Sequence, residues 1–213
     1  GISLPGLVDP YQKICFSYLN FSDNPLINEM SGHFSVPVII DNDLKAMIQG
    51  EHRFGKLKNI EHAIVVNADY GVGVGMILNG KVYHGTSGFT GELGHIPVKN
   101  DGDLCYCGKR GCLETIVSAQ RLIERAKGLY ANGNKILKDI VPQDSNRITV
   151  DNIIEGAEKG DEAVIDLLAE TGYELGKGLA TVVHLLNPQR IVISGSIACA
   201  GRFILHPVEE ALN

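Results

Sequence analysis

Three of the five cysteines stand at positions 105, 107 and 112, and a histidine stands at 95, closing the string Gly91-Glu92-Leu93-Gly94-His95. The cysteine run reads Cys105-Tyr106-Cys107-Gly108-Lys109-Arg110-Gly111-Cys112-Leu113-Glu114. Zn²⁺ favours four tetrahedral ligands drawn from thiolate and imidazole, and a Cys₃His set is a usual closed structural site. His95, Cys105, Cys107 and Cys112 are therefore candidate zinc ligands. Gly108 and Gly111 suit a tight knuckle, because glycine lets the backbone fold back until several thiolates face one point. A knuckle over residues 95–112 constrains the chain more than any other feature, since the elements on either side must start and end where the metal loop holds them. The plainer reading of the same residues is a set of reduced or disulfide-bonded cysteines, with His95 a hydrogen-bonded loop residue.

Two acids bracket the knuckle, Glu92 before it and Glu114 after it. The Cys₃His set is complete without them. Carboxylates held at the ends of a rigid loop accept hydrogen bonds from hydroxyls, which makes a polyol or sugar a natural ligand. Surface acids are common, so spacing alone also allows two solvated side chains.

Along the rest of the chain, strands and helices alternate. Ile2 to Leu4 reads as a strand end closed by the turn dipeptide Pro5-Gly6. Residues 10–25 read as loop or short hairpin, and 25–30 as one or two turns of helix. Val36-Pro37-Val38-Ile39-Ile40 is a short β-branched run, with Pro37 marking an edge or a strand start. Asp41-Asn42-Asp43 follows, then a helix over 44–54. Residues 62–66 form a second buried strand, followed by glycine-rich 67–75 and by Asn79-Gly80, a type I′ hairpin signal between 76–78 and 81–83. An amphipathic helix is expected over 115–130 and loop over 131–147. Thr149 caps a helix ending near Gly160, and a long helix runs over 161–186 until Pro188 stops it. Ile191-Val192-Ile193 is a buried strand leading into Ser194-Gly195-Ser196, and the last residues are helical. Cys15 and Cys199 are read as buried, unreactive thiols, and His184 as a core or interface histidine.

Alternating strands and helices mean an α/β fold. A formal net charge of -6 with no basic face argues against nucleic-acid binding by this chain itself. No apolar run approaches the roughly 20 residues of a membrane span. Clustered thiols of zinc type, with no disulfide framework, point to the cytoplasm. The chain opens on glycine within a strand-like segment, as expected of a fragment.

The strings Gly91-Glu92-Leu93-Gly94-His95 and Cys-x-Cys-Gly-x-x-Gly-Cys-Leu-Glu closely resemble the signature of the ROK family of sugar-responsive repressors and sugar kinases. The resemblance extends from Gly1-Ile2-Ser3-Leu4-Pro5-Gly6-Leu7-Val8-Asp9 through Asn42-Asp43 to Asn187-Pro188-Gln189-Arg190-Ile191-Val192-Ile193. It implies a two-lobed, actin-like and ribonuclease H-like fold, with residues 1–59 in a smaller lobe that is incomplete here. Residues 60–213 then form a larger lobe that carries the knuckle, and the sugar lies in the cleft. It also implies that His95 both binds zinc and faces the sugar, with Asn42, Asp43, Glu92 and Glu114 as the other contacts.

The family's kinases use the aspartate of an Asn-Asp-Ala-Asn string as general base, and Asp43 of Asn42-Asp43-Leu44-Lys45 matches it. Without the resemblance, 41–43 would read as a helix-capping cluster. Where those kinases carry Gly-Thr-Gly against the nucleotide phosphates, this chain has Asp69-Tyr70-Gly71. Gly71, Gly73 and Gly195 then remain as vestiges of the nucleotide turns, with Tyr70 capping the phosphate position. Loss of the Gly-Thr pair resembles the NagC, Mlc and xylose-repressor branch. That branch implies an effector-binding and oligomerising portion, homodimer or homotetramer, that takes a small-molecule sugar or sugar phosphate, with a DNA-binding helix-turn-helix outside the chain. The alternative is an ATP- and Mg²⁺-dependent kinase of a hexose or N-acetyl-amino sugar.

Overall fold

A computed structural model describes residues 1–17 and 26–213. They form two compact units interleaved along the chain. Unit 1 is Gly1–Val65, Val74–Glu92 and Pro188–Val192, and unit 2 is Val66–Gly73, Leu93–Asn187 and Ile193–Asn213.

In unit 1, β1 (Ile2–Leu4), the short hairpin of β2 (Val8–Asp9) and β3 (Ile14–Cys15), and α1 (Leu26–His33) precede β4 (Ile40–Asn42) and α2 (Asp43–Phe54). β1 pairs in parallel with β4, setting Leu4 opposite Asn42. The strand expected over 36–40 begins only at Ile40. Pro37 has no N–H to give a ladder, and Val36 and Ile39 are exposed at 65 % and 63 %. Pro25 lies outside the described residues. Val8, Cys15, Ile27, Val38 and Ile40 make one apolar cluster. A second joins Leu44 and Ile48 of α2 to Ala63, Val65 and Ile77. Gly75 lets α2 close in, since a Cβ there would lie 3.2 Å from three Ile48 carbons.

One four-stranded sheet runs β7–β6–β5–β8, with β5 at Ala63–Ala68, β6 at Val72–Leu78, β7 at Lys81–Val82 and β8 at Arg190–Ser194. β5, β6 and β8 each pass from one unit into the other along their length. Asn79 and Gly80, with φ of 52° and 71°, form the type I′ turn the sequence predicts.

The helices of unit 2 are α3 (Glu114–Val117), α4 (Ala119–Ala131), α5 (Lys135–Ile140), α6 (Val150–Glu158), α7 (Glu162–Leu186) and α8 (Arg202–Leu212). The single helix expected over 115–130 is broken at Ser118. That residue turns extended, with ψ of 156°, and caps α4 through Arg121 N–H. The loop expected over 131–147 contains α5, capped by Asn134 and anchored by fully buried Leu137. Six residues offer too short a period to read. Asn187, with φ of 43°, ends α7 in the left-handed region just before Pro188. Cys15 is buried as expected, but Cys199 is exposed in the short turn 196–200 after β8. His184 is likewise exposed, in the last turn of α7 rather than in a core.

Candidate functional site

The knuckle follows directly from its glycines. Gly111, with φ of 68°, passes so close to Lys99 that a Cβ would sit 1.7 Å from its carbonyl oxygen. Isolated bridges Pro97↔Cys112 and Leu104↔Arg110 then fold the loop on itself. His95, Cys105, Cys107 and Cys112 are brought together with their donor atoms all within 4.8 Å of one another. His95 Nδ1 lies 3.5 Å from Cys105 Sγ, and Cys107 Sγ lies 3.6 Å from Cys112 Sγ. A tetrahedral site with Zn–S bonds of about 2.3 Å has edges of about 3.8 Å, so the donor set fits a zinc ion. Burial, together with hydrogen bonding to Cys107 and Cys105, pushes the Cys112 thiol up to about 12. The exposed Cys107 is pulled down, chiefly by the Lys109 backbone N–H. His95 Nε2 meets the Tyr106 hydroxyl at 2.9 Å, and the two rings pack edge-on at 4.8 Å.

Glu114 opens α3 immediately after the last cysteine and is buried, with 8 % exposure. Its Oε2 accepts the Val72 N–H at 2.8 Å. Gly94 and Gly71 leave room for this carboxylate, since a Cβ on either would come within 3.2 Å of Oε2.

Asp69, at the end of β5, has its Oδ1 bonded by Ser196 Oγ at 2.8 Å and by Tyr70 N–H at 3.0 Å. Asp69 N–H closes a turn onto the Gly71 carbonyl, and Gly195, with φ of 92°, lies so close to Ala68 that a Cβ would meet its carbonyl oxygen at 2.3 Å. Gly71 precedes β6, whereas Gly73 lies within that strand rather than in a turn. The Tyr70 side chain is 77 % exposed.

Within unit 1, Asn42 caps α2. Its Oδ1 accepts Lys45 N–H at 3.2 Å and its Nδ2 donates to the Gly6 carbonyl at 3.0 Å. Asp43 is exposed at the first position of α2, with Oδ1 on its own helix at Leu44 N–H, 2.8 Å away. Glu92 ends the segment fixed by Gly91, whose φ is 95° and whose carbonyl accepts Val74 N–H at 2.8 Å. Three groups escaped the sequence reading. Lys45 is 4 % exposed and donates to the Gly88 carbonyl, and burial lowers its proton affinity against the opposing pull of Asp41 and Glu92. Asp41 meets His84 Nε2 at 3.1 Å. Ser196 holds Asp69. Lys45 alone carried a readable signal, because it lies three residues before Ile48 on the apolar stripe.

The model of the ROK family matches residues 1–213. The chain belongs to the ROK family. The DNA-binding transcriptional dual regulator NagC of Escherichia coli (strain K12) is 35 % identical over 215 residues, covering 100 % of this ROK chain and 52 % of NagC. A ROK family transcriptional regulator homologous to the E. coli MLC protein gives a TM-score of 0.88 at 31 % identity, over 99 % of this chain and 52 % of that one. A ROK family glucokinase from Streptomyces griseus, solved with glucose and AMPPNP, also gives 0.88, at 28 % identity over 99 % of this chain and 69 % of the kinase. The chain thus has the mixed α/β fold of ROK structures and spans about half the length of the curated regulators it matches. Among the described residues, no helix is long and apolar enough to cross a membrane.

Proposed function

We propose that this chain is the effector-binding and oligomerisation portion of a sugar-responsive ROK transcriptional regulator. Asn42, Asp43, Glu92, His95 and Glu114 recognise the sugar, and zinc held by His95, Cys105, Cys107 and Cys112 fixes the knuckle. DNA is read by a helix-turn-helix outside this chain, and the assembled regulator is a homodimer or homotetramer acting in the cytoplasm. The sugar acts by binding one state of the regulator more tightly than the other, since only that difference can shift the equilibrium.

Asp69 is the observation that supports this reading most. Phosphoryl transfer needs backbone N–H groups and hydroxyls turned toward phosphate oxygens. Here the Tyr70 N–H and the Ser196 hydroxyl both point at the chain's own carboxylate. A nucleotide phosphate beside it meets like charge worth up to ~4 kcal/mol per pair at 4 Å and an effective dielectric of ~20. Asp43 accordingly accepts a sugar hydroxyl without passing its proton on.

The second reading, an ATP-dependent sugar kinase with Asp43 as base, is favoured by one observation, the exposed carboxylate at the start of α2. Calorimetric titration of the full-length protein with ATP–Mg²⁺ and with glucose, xylose and N-acetylglucosamine separates the two. Sugar binding without nucleotide binding supports the regulator. Binding of both, with sugar phosphate formed, replaces it by the kinase.

A further inference from the structure

The sugar-binding reading leaves unused the most unusual side chain of unit 1. Lys45 lies in the first turn of α2, flanked by Leu44 and Ile48, which pack into an apolar cluster. Only 4 % of Lys45 is exposed. An ammonium withdrawn from water destabilises a fold unless it is paired and hydrogen-bonded. Its α2 neighbours Leu44 and Ile48 are apolar and offer the cation no polar partner. What the cation holds therefore explains it.

Lys45 makes two attachments. Its main-chain N–H is the one Asn42 Oδ1 accepts. Its Nζ donates to the carbonyl of Gly88, in the segment that leads to Glu92. Gly88 is buried against β2 with φ of 82°, where a Cβ would stand 2.6 Å from the Val8 carbonyl oxygen and 2.9 Å from Pro10. Three residues on, Gly91 is fixed in turn to Val74. Residues 88–91 are thus held at both ends, at Gly88 by the Lys45 ammonium and at Gly91 by Val74. Asp41 on β4 and Glu92 itself are the carboxylates that act on the ammonium, and Asp41 also carries His84.

We propose that Lys45 is a positioning residue of the effector site. It ties the α2 cap at Asn42 to the Gly88–Glu92 segment, which Gly91 anchors in turn to Val74, so that the Glu92 carboxylate is presented from a fixed backbone as an acceptor for a sugar hydroxyl. This rests on the sugar-binding reading of Asn42 and Glu92. Removal of Lys45 loosens the acceptor without unfolding the unit.

The test compares full-length wild type with Lys45→Met and Lys45→Gln. Methionine keeps the volume and removes charge and donor, and glutamine restores a donor for the Gly88 carbonyl. We expect Lys45→Met to melt a few degrees lower than wild type, because the buried Gly88 carbonyl loses its donor, and Lys45→Gln to melt close to wild type. In Lys45→Met the amides over 88–92 should exchange with deuterium at least about tenfold faster, and the affinity should fall at least about tenfold for whichever of glucose, xylose and N-acetylglucosamine the wild type binds. Lys45→Gln should recover part of the exchange protection but less of the affinity. Unchanged affinity and exchange in Lys45→Met overturn the proposal while leaving the sugar-binding reading in place. A Lys45→Gln variant that regains melting temperature and affinity together also overturns it, since Lys45 then only supports the fold. A wild type that binds none of the three sugars overturns the sugar-binding reading itself, and the role of Lys45 in it.

Discussion

Glu114 has two separable roles, and replacing it tests both. Its Oε2 is the acceptor for the Val72 N–H at 2.8 Å, and both residues are buried. Glu114→Ala leaves that N–H without a partner where water does not reach, which costs about 1–3 kcal/mol. For a chain of this size each kcal/mol corresponds to roughly 2–4 °C of melting temperature, so a loss of about 2–12 °C is expected. Glu114→Gln still offers a carbonyl oxygen to Val72 and should melt within about 2–4 °C of wild type. A neutral amide is a weaker acceptor than a carboxylate, so sugar affinity should nonetheless fall about tenfold in the glutamine variant. Differential scanning fluorimetry gives the first quantity, and calorimetric titration well below the melt gives the second. Zinc content should stay unchanged in both variants. If Glu114→Ala melts within 1 °C of wild type, the Val72 N–H has found another acceptor and the structural half of the reasoning is wrong. If Glu114→Gln binds sugar as tightly as wild type, the carboxylate is not a ligand.

Other perturbations have equally definite outcomes. The raised Cys112 thiol stays protonated through neutral pH, so zinc must displace its proton. Zinc affinity should therefore climb about tenfold per pH unit for each proton released, as read by competition with a chelator of known proton affinity, and a pH-independent affinity would refute a thiolate site. Chelation of the metal should lower the melting temperature, and Cys112→Ser should bind zinc at least about a hundredfold more weakly. Replacing Asp69 by Gly together with Tyr70 by Thr should create ATP–Mg²⁺ binding measurably tighter than that of the wild type; if titration shows no gain, Asp69 is not what closes the turn. Gly91→Ala should cost more than about 3 kcal/mol, since it places a side chain at φ of 95° with its Cβ 1.8 Å from the Val74 carbonyl oxygen, and a melt within 2 °C of wild type would contradict that geometry.

The parts legible in the sequence were those in which one residue type admits one local solution. Cysteines, histidine and glycines spelled out the knuckle because few other residues chelate a soft cation or turn back so tightly. Asn79-Gly80 and Thr149 announced a turn and a cap for the same reason. The break at Ser118 was hidden because its flanks keep a continuous apolar stripe, and only the serine's own hydrogen bond to Arg121 N–H reveals the division. Lys45 and Ser196 were missed because their meaning depends on partners 43 and 127 residues away, Gly88 and Asp69. Cys199 was misjudged because a cysteine's composition-based tendency to be buried says nothing of a particular turn.

Three glycines of α7 shape more than its packing. A Cβ on Gly172 would meet the Ile204 carbonyl oxygen at 2.7 Å, one on Gly176 would meet that of Val208 at 2.7 Å, and one on Gly178 would strike Leu113 at 2.4 Å. α7 and α8 therefore mesh backbone to backbone, like a shaft seated in its keyway. Gly178 sets the same shaft against the residue between Cys112 and Glu114. At Gly172 and Gly176 main-chain carbonyls of α8 stand where a side chain would otherwise project, and at Gly178 the Leu113 side chain takes that space. Movement imposed on Leu113 is therefore expected to reach α7 first and, through the close α7–α8 contact, to carry both helices together.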